Sequence, residues 1–71
     1  MNLTDALVKK TYTVQSVRTD DKEMDAFLFS LGCYAGESIT VVKQARCGCI
    51  ITLKSARYSI DAKLARAISI V

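Results

Sequence analysis

Only one stretch of this chain carries both a start and a stop signal for a helix, and it is short. Between Asp20 and Gly32, the residues Met24, Phe27, Leu28 and Leu31 recur at i, i+3, i+4 and i+7, the spacing of one apolar helix face. Asp20 and Glu23 have the separation of a capping box, with Asp in place of Ser or Thr. Gly32 stands where a left-handed residue usually ends a helix, and the acidic residues of the first turn suit the positive end of the helix dipole. A chain of 71 residues with one such helix must build most of its core from something else. Ordering each residue costs roughly 1–2 kcal/mol, and burial has to offset it.

Strands are the remaining source. Thr11 to Val17 is rich in β-branched residues and places Tyr12 and Val14 on one face, while Val17 falls out of phase, so a bulge or bend is expected before it. Ser38 to Lys43 and Cys49 to Lys54 are two further runs, joined by Gln44-Ala45-Arg46-Cys47-Gly48, a short hairpin-like connection with one glycine. Arg57 to Ile60 reads as a fourth strand. Asp61 then caps one helical turn over Ala62 to Ala67, and Ile68 to Val71 closes the chain as a fifth strand. The expected fold is mainly β: a small barrel of about five strands, with one short α-helix after the first strand and a helical turn before the last. Strands this short and few do not make a two-sheet sandwich, and a barrel also reduces the exposed edges. No repeats, low-complexity segments or linkers interrupt residues 1–71, which read as one domain.

The composition, 51% hydrophobic and 24% charged with no proline, is that of a globular chain and excludes disordered and collagen-like classes. There is no histidine. That removes the commonest general base, the commonest metal ligand and the usual partner of a nucleophilic Ser or Cys, so no catalytic residues are expected. Asp20, Asp21, Glu23 and Asp25 are crowded, but as the start of a solvated helix rather than as carboxylates facing each other across a substrate. Gly32-Cys33-Tyr34-Ala35-Gly36 lacks the spacing and the Lys-Ser/Thr of a phosphate loop. Its glycines suit turn geometry, Gly32 ending the helix and Gly36 turning into the next strand. No bound cofactor is expected.

Three cysteines, an odd number, do not form the disulfide framework of small secreted domains, and reduced thiols are expected. Cys33, Cys47 and Cys49 together offer three soft ligands, one short of the four that structural zinc normally takes. Small buried apolar roles for Cys33 and Cys49, with Cys47 as a loop thiol, are the competing reading. The formal charge of +3 is mildly basic, but the ten Lys and Arg are spread along the chain rather than gathered in a run. A nucleic-acid module would also want exposed aromatics among them, and only five aromatics are present. Nucleic acid is therefore not the expected partner. Of the aromatics, Phe29 lies off the apolar stripe of its helix and is the one expected to face solvent. No apolar stretch approaches the ~20 residues needed to span a bilayer. Insertion into a membrane is not expected, and the opening Met1-Asn2-Leu3-Thr4-Asp5-Ala6 lacks the basic-then-apolar pattern of a secretory leader, which points to the cytoplasm.

The order of these features resembles the FeoA family, the small component of bacterial ferrous iron uptake, over nearly the whole chain. The likeness rests on Leu3 and the turn after it, the Tyr12 to Val17 strand and the helix ending in Leu31-Gly32. It continues through Leu31-Gly32-Cys33-Tyr34-Ala35-Gly36 into Glu37-Ser38-Ile39-Thr40-Val41-Val42, and then through Arg57-Tyr58-Ser59-Ile60-Asp61, Leu64-Ala65 and Ile68. Ala35 stands where the family commonly has Pro, and Ser55-Ala56 where it often has Gly shortly before the Arg. The cysteines are no part of the pattern. The resemblance implies an SH3-like β-barrel. It also implies a non-enzymatic accessory or regulatory role, exerted by protein contact on the cytosolic GTPase region of the membrane iron transporter FeoB, with the protein peripheral to the inner membrane through that partner. Weak self-association is compatible with this role. The same barrel occurs in metal-dependent repressors, but this chain has no DNA-binding helix-turn-helix beside it. Without Trp, a groove for proline-rich peptides is not expected. Candidate contact residues are Tyr34, Lys43, Arg46, Lys54 and Arg57, which could meet an acidic partner surface. The alternatives are a thiol-based transition-metal protein using Cys33, Cys47 and Cys49, and a small basic nucleic-acid-binding module.

Overall fold

The computed structural model describes residues 1–71. A single 3-10 turn, Leu3–Asp5, precedes β1 (Thr11–Val17), α1 (Lys22–Ser30), β2 (Ser38–Ala45), β3 (Gly48–Leu53), β4 (Ala56–Asp61), α2 (Ala62–Ala67) and β5 (Ile68–Ile70). The five strands form one antiparallel sheet in the order β4-β3-β2-β1-β5.

β1 is the corner of this sheet. Thr11 to Thr13 pair with β2, whereas Val14 to Val17 pair with β5, and the register slips between Val14 and Ser16. The loss of alternation at Val17 is thus the trace of one strand serving two neighbours, as a bulge allows by adding twist and bend. Tyr12 and Val14 are buried as alternation requires, together with Ile39 and Val41 of β2, Cys49, Ile51 and Leu53 of β3, Ile60 of β4, and Ile68 and Ile70 of β5. No polar or charged side chain is buried.

The barrel is loose. β4 and β5 are the two ends of the sheet and are not paired with each other; α2 runs directly from one to the other. The start of the chain lies along β5, where Ile70 N–H donates to Met1 C=O (2.8 Å) and Asn2 bridges to Ser69. The Leu3–Asp5 turn has a reciprocal cap between Asn2 and Asp5 and sends Leu3 fully into the core. Gln44 holds it there: its Nε2 donates to Leu3 C=O (2.7 Å) and Ala6 C=O (3.1 Å).

Four local expectations are corrected. Asp21, not Asp20, caps α1, its carboxylate accepting from the N–H groups of Glu23 and Met24. Asp25 anchors the approach to the helix by accepting from both Thr19 N–H (3.0 Å) and Thr19 Oγ1 (2.6 Å). Phe27 is 52% exposed, because α1 buries only Leu28 fully, with Met24 and Leu31 half-buried beside it. The helix covers a narrow opening and needs a narrow stripe. The β2–β3 connection is also tighter than five residues: Ala45 pairs with Gly48, leaving only Arg46 and Cys47 in the turn. Lys54, expected to end the third strand, instead lies in the turn after it, because its φ of 50° leaves the extended range; the other elements lie within a residue or two of their sequence signals, Asp61 included, whose carboxylate accepts from Leu64 N–H at 2.8 Å.

Candidate docking site

At one end of the barrel, three connections converge: the exit from α1, the entry to β2 and the β3–β4 turn. Gly32 and Gly36 take positive φ (93° and 94°), which lets the chain leave the helix and double back into β2. Cys33 N–H closes the helix end on Leu28 C=O (3.0 Å), and Gly36 N–H and Glu37 C=O both bond to Val14, fixing the segment between them. That segment carries Tyr34. The β3–β4 turn is two residues long, Leu53 pairing with Ala56, and both of its residues, Lys54 and Ser55, adopt positive φ (50° and 66°). Such a turn matches strand twist but favours Gly, Asn or Asp. Here it aims Lys54 across the barrel end.

Lys54 reaches Tyr34. Its ammonium donates to Tyr34 Oη (3.0 Å), stands 5.2 Å from the centre of the Tyr34 ring and pairs with Glu37 Oε2 at 3.5 Å. The hydrogen bond to Tyr34, with the Glu37 charge adding to it, pushes the Lys54 ammonium above its ordinary range. The aliphatic stem of Lys54 lies so close to Gly32 that a Cβ there would come within 2.7 Å of it. On the other side of Tyr34, the Phe29 ring stacks at a tilt, centroids 4.9 Å apart, while remaining 65% exposed. The result is an oriented ammonium and an aromatic pair held at the surface, with a carboxylate beside them. Chemically, this arrangement can dock a partner.

Of the five candidate contacts, Tyr34 and Lys54 are brought together. Arg57 follows three residues after Lys54 on the exposed face of β4. Lys43 and Arg46 belong to the opposite end of the β2–β3 hairpin, Arg46 in its turn. Phe29, expected at the surface, completes the site. Glu37 was not singled out by the sequence; its position five residues beyond the helix-ending glycine carries no signal that would pair it with Lys54.

The thiols are not gathered. Cys33 and Cys49 are core residues, Cys47 is exposed in the β2–β3 turn, and no three His, Cys, Asp or Glu side chains come together in a group that could hold a metal ion. Burial pushes the Cys33 thiol up to about 11 and raises that of Cys49 as well. Burial thus disfavours the thiolate form of both, the form that attacks electrophiles.

The profile of the FeoA domain matches residues 1–71, the whole chain. The chain belongs to the FeoA family. Among solved structures, an iron uptake regulatory protein, FeoA, is similar at 21% identity, with 99% of this chain and 93% of that one covered and a TM-score of 0.87. The Stenotrophomonas maltophilia FeoA, solved with zinc and described as a procaryotic SH3 domain protein, is 17% identical. It covers 100% of this chain and 89% of its own, with a TM-score of 0.87. A manganese-dependent transcriptional repressor matches over 100% of this chain but only 40% of its own length, at 20% identity and a TM-score of 0.89. The SH3-like fold is thus shared between FeoA proteins and one part of a larger repressor. A search of curated proteins finds no match. No helix in this FeoA-family chain is long and apolar enough to cross a membrane.

Proposed function

We propose that this protein is a cytoplasmic accessory of ferrous iron uptake that acts without catalysis, by docking on the cytosolic GTPase region of a FeoB-type transporter. The observation that carries the reading is the match to the FeoA domain across all 71 residues, and the Stenotrophomonas relative is itself described in terms of activating ferrous iron transport. Residues 1–71 act as one unit in this reading, and the contact is centred on Phe29, Tyr34 and Lys54, with Arg57 at its border. Lys43 and Arg46, at the far end of the hairpin, lie outside it. Aromatic side chains held rigid at a surface lose little freedom on binding and are frequent hot spots. Lys54 and Arg57 offer the partner's carboxylates a place to align, which favours fast and oriented association.

The experiment is a titration of the purified chain against the isolated GTPase region of the transporter, following complex formation and nucleotide turnover together. Tyr34→Ala and Phe29→Ala are expected to weaken the complex by about tenfold or more, the loss typical of a central aromatic contact. Lys54→Glu should weaken it and flatten its salt dependence. A titration with no complex and no change in turnover at low salt would remove the transporter as partner. Binding that ignores Phe29, Tyr34 and Lys54 would move the contact elsewhere on the barrel.

A further inference from the structure

The segment between the Leu3–Asp5 turn and β1 holds two aliphatic side chains in water. Leu7 is 64% exposed and Val8 is 44% exposed. A mobile loop could carry such residues without consequence, but this one is tied down at four points. Leu7 N–H donates to Tyr12 Oη (3.0 Å), Lys10 N–H to Leu7 C=O (3.3 Å), Lys9 N–H to Val41 C=O (2.7 Å), and Gln44 grips the carbonyl of Ala6. The turn is closed with Lys9 at a φ of 69°, a left-handed conformation that a residue with a side chain adopts only at some expense of strain. The fold therefore holds Leu7 and Val8 outward in a defined place.

The residues that follow this tip are basic. Lys9 and Lys10 flank it and are both exposed, with the Lys10 ammonium 5.4 Å from the Tyr12 ring centre. Lys43 and Arg46 are exposed further along, on β2 and in the turn after it, Lys43 lining a cleft together with Asp61. There is no Asp or Glu from Ala6 to Thr19, nor from Ser38 to Ile60. The nearest acid along the chain, Asp5, turns its carboxylate to Asn2 N–H (3.1 Å). Four of the seven acids, Asp20, Asp21, Glu23 and Asp25, lie instead at the start of α1.

We infer that the Leu7-Val8 tip and the adjoining Lys9 and Lys10 form an interfacial contact for an anionic lipid membrane. Aliphatic side chains enter the boundary between headgroups and acyl chains while the ammonium groups stay among the phosphates, the division of labour seen wherever a soluble protein rests on a charged bilayer. Lysines beside an aliphatic tip with no exposed aromatic in it fit lipid better than nucleic acid, whose bases reward stacking. This contact is separate from the Phe29–Tyr34–Lys54 site, and neither depends on the other.

The test is sedimentation of the full chain, kept reduced, with vesicles of phosphatidylcholine alone and with vesicles of phosphatidylcholine and phosphatidylglycerol. Binding is expected only with the anionic vesicles, and it should fall steeply with salt. Each lysine near such a surface contributes about fivefold, so Lys9→Glu with Lys10→Glu should reduce binding well over tenfold. Lys10→Glu alone, which leaves the left-handed Lys9 untouched, should reduce it about fivefold or more and serves if the double variant folds poorly. Leu7→Ser with Val8→Ser should also release the protein. The chain has no Trp, so Val8→Trp gives a single reporter whose emission should shift to the blue on anionic vesicles. Absence of binding at low salt, or equal binding to neutral vesicles, overturns the inference. So does loss of binding on charge reversal with none on Leu7→Ser and Val8→Ser, which would mark a general polyanion surface such as one for nucleic-acid phosphates.

Discussion

The two turns of the β2–β3–β4 meander are both two residues long but differ in backbone: Arg46 and Cys47 keep negative φ and are followed by a glycine, whereas Lys54 and Ser55 both take positive φ. In the first, Arg46-Cys47, the following Gly48 sits at a φ of 158° where a Cβ would run into the Ile60 carbonyl oxygen and the Asp61 Cα. The Cys47 carbonyl there accepts from Ala62 N–H (2.9 Å), so the turn also fastens the β4–α2 junction. In the second, Lys54-Ser55, two residues with side chains occupy the left-handed region, and one of them reaches out to Tyr34 and Glu37. Directly after the first turn space is scarce and the side chain is given up. At the second, backbone strain is tolerated and the side chain is kept. Strain retained beside a defined surface contact is what makes Lys54 worth testing as a binding residue.

The comparison can be broken most directly at Gly48. Gly48→Ala forces backbone against backbone, and an expected loss of about 3 kcal/mol or more is a large share of the stability of so small a domain. Urea unfolding measures it, and a midpoint close to that of the parent would show that the first turn has room after all. Next in size is a pH effect from the thiols. Cys33 keeps its proton in the folded state up to about 11 while the unfolded thiol releases it near 9.0. Its share of stability is therefore complete below 9.0 and is lost as pH climbs through about 11, a fall on the order of 1–2 kcal/mol. Thermal melts across that window should show the fall, and Cys33→Ala should flatten it. Iodoacetamide at neutral pH sharpens the same contrast, with Cys47 alkylated in the native protein and Cys49, two residues further on, labelled only after unfolding.

Smaller changes belong to the second turn. Ser55→Gly relieves one left-handed residue and should raise stability by about 0.5–1 kcal/mol, read from the same unfolding curves. Should it destabilise, the turn is not strained and the contrast between the two turns fails. Lys54→Ala is expected to leave the unfolding midpoint nearly unchanged, since the contacts it removes are solvent-exposed, while weakening the proposed transporter complex. Separation of those two readouts is what distinguishes a docking residue from a structural one.

Much of this architecture is legible in the residue pattern, and the exceptions have identifiable causes. Strand alternation reports Tyr12 and Val14 as core because one face of β1 meets the interior, and the broken phase at Val17 reports the corner. Asp61 reads as a cap because its neighbours offer no rival. Asp20 and Asp21 are adjacent and chemically equal, so only the backbone path set by Thr19 and Asp25 decides which of them caps α1. Phe27 has the right spacing for the core, but spacing does not state how wide an opening the helix must cover. The partnership of Tyr34 with Lys54 spans twenty residues and depends on where two turns point, which no local pattern records. Gln44 reads as one more polar residue of a hairpin connection, although it carries the Leu3–Asp5 turn.

The seam between β4 and β5 sets how this molecule comes undone. Every other junction in the sheet is a ladder whose rungs must be undone together, whereas this one has no ladder between its strands and is bridged by α2, with Met1 and Asn2 bonded along β5. Breathing motions should start along that line, with the six residues of α2 acting as the latch and the central β2–β3 pair the last to part.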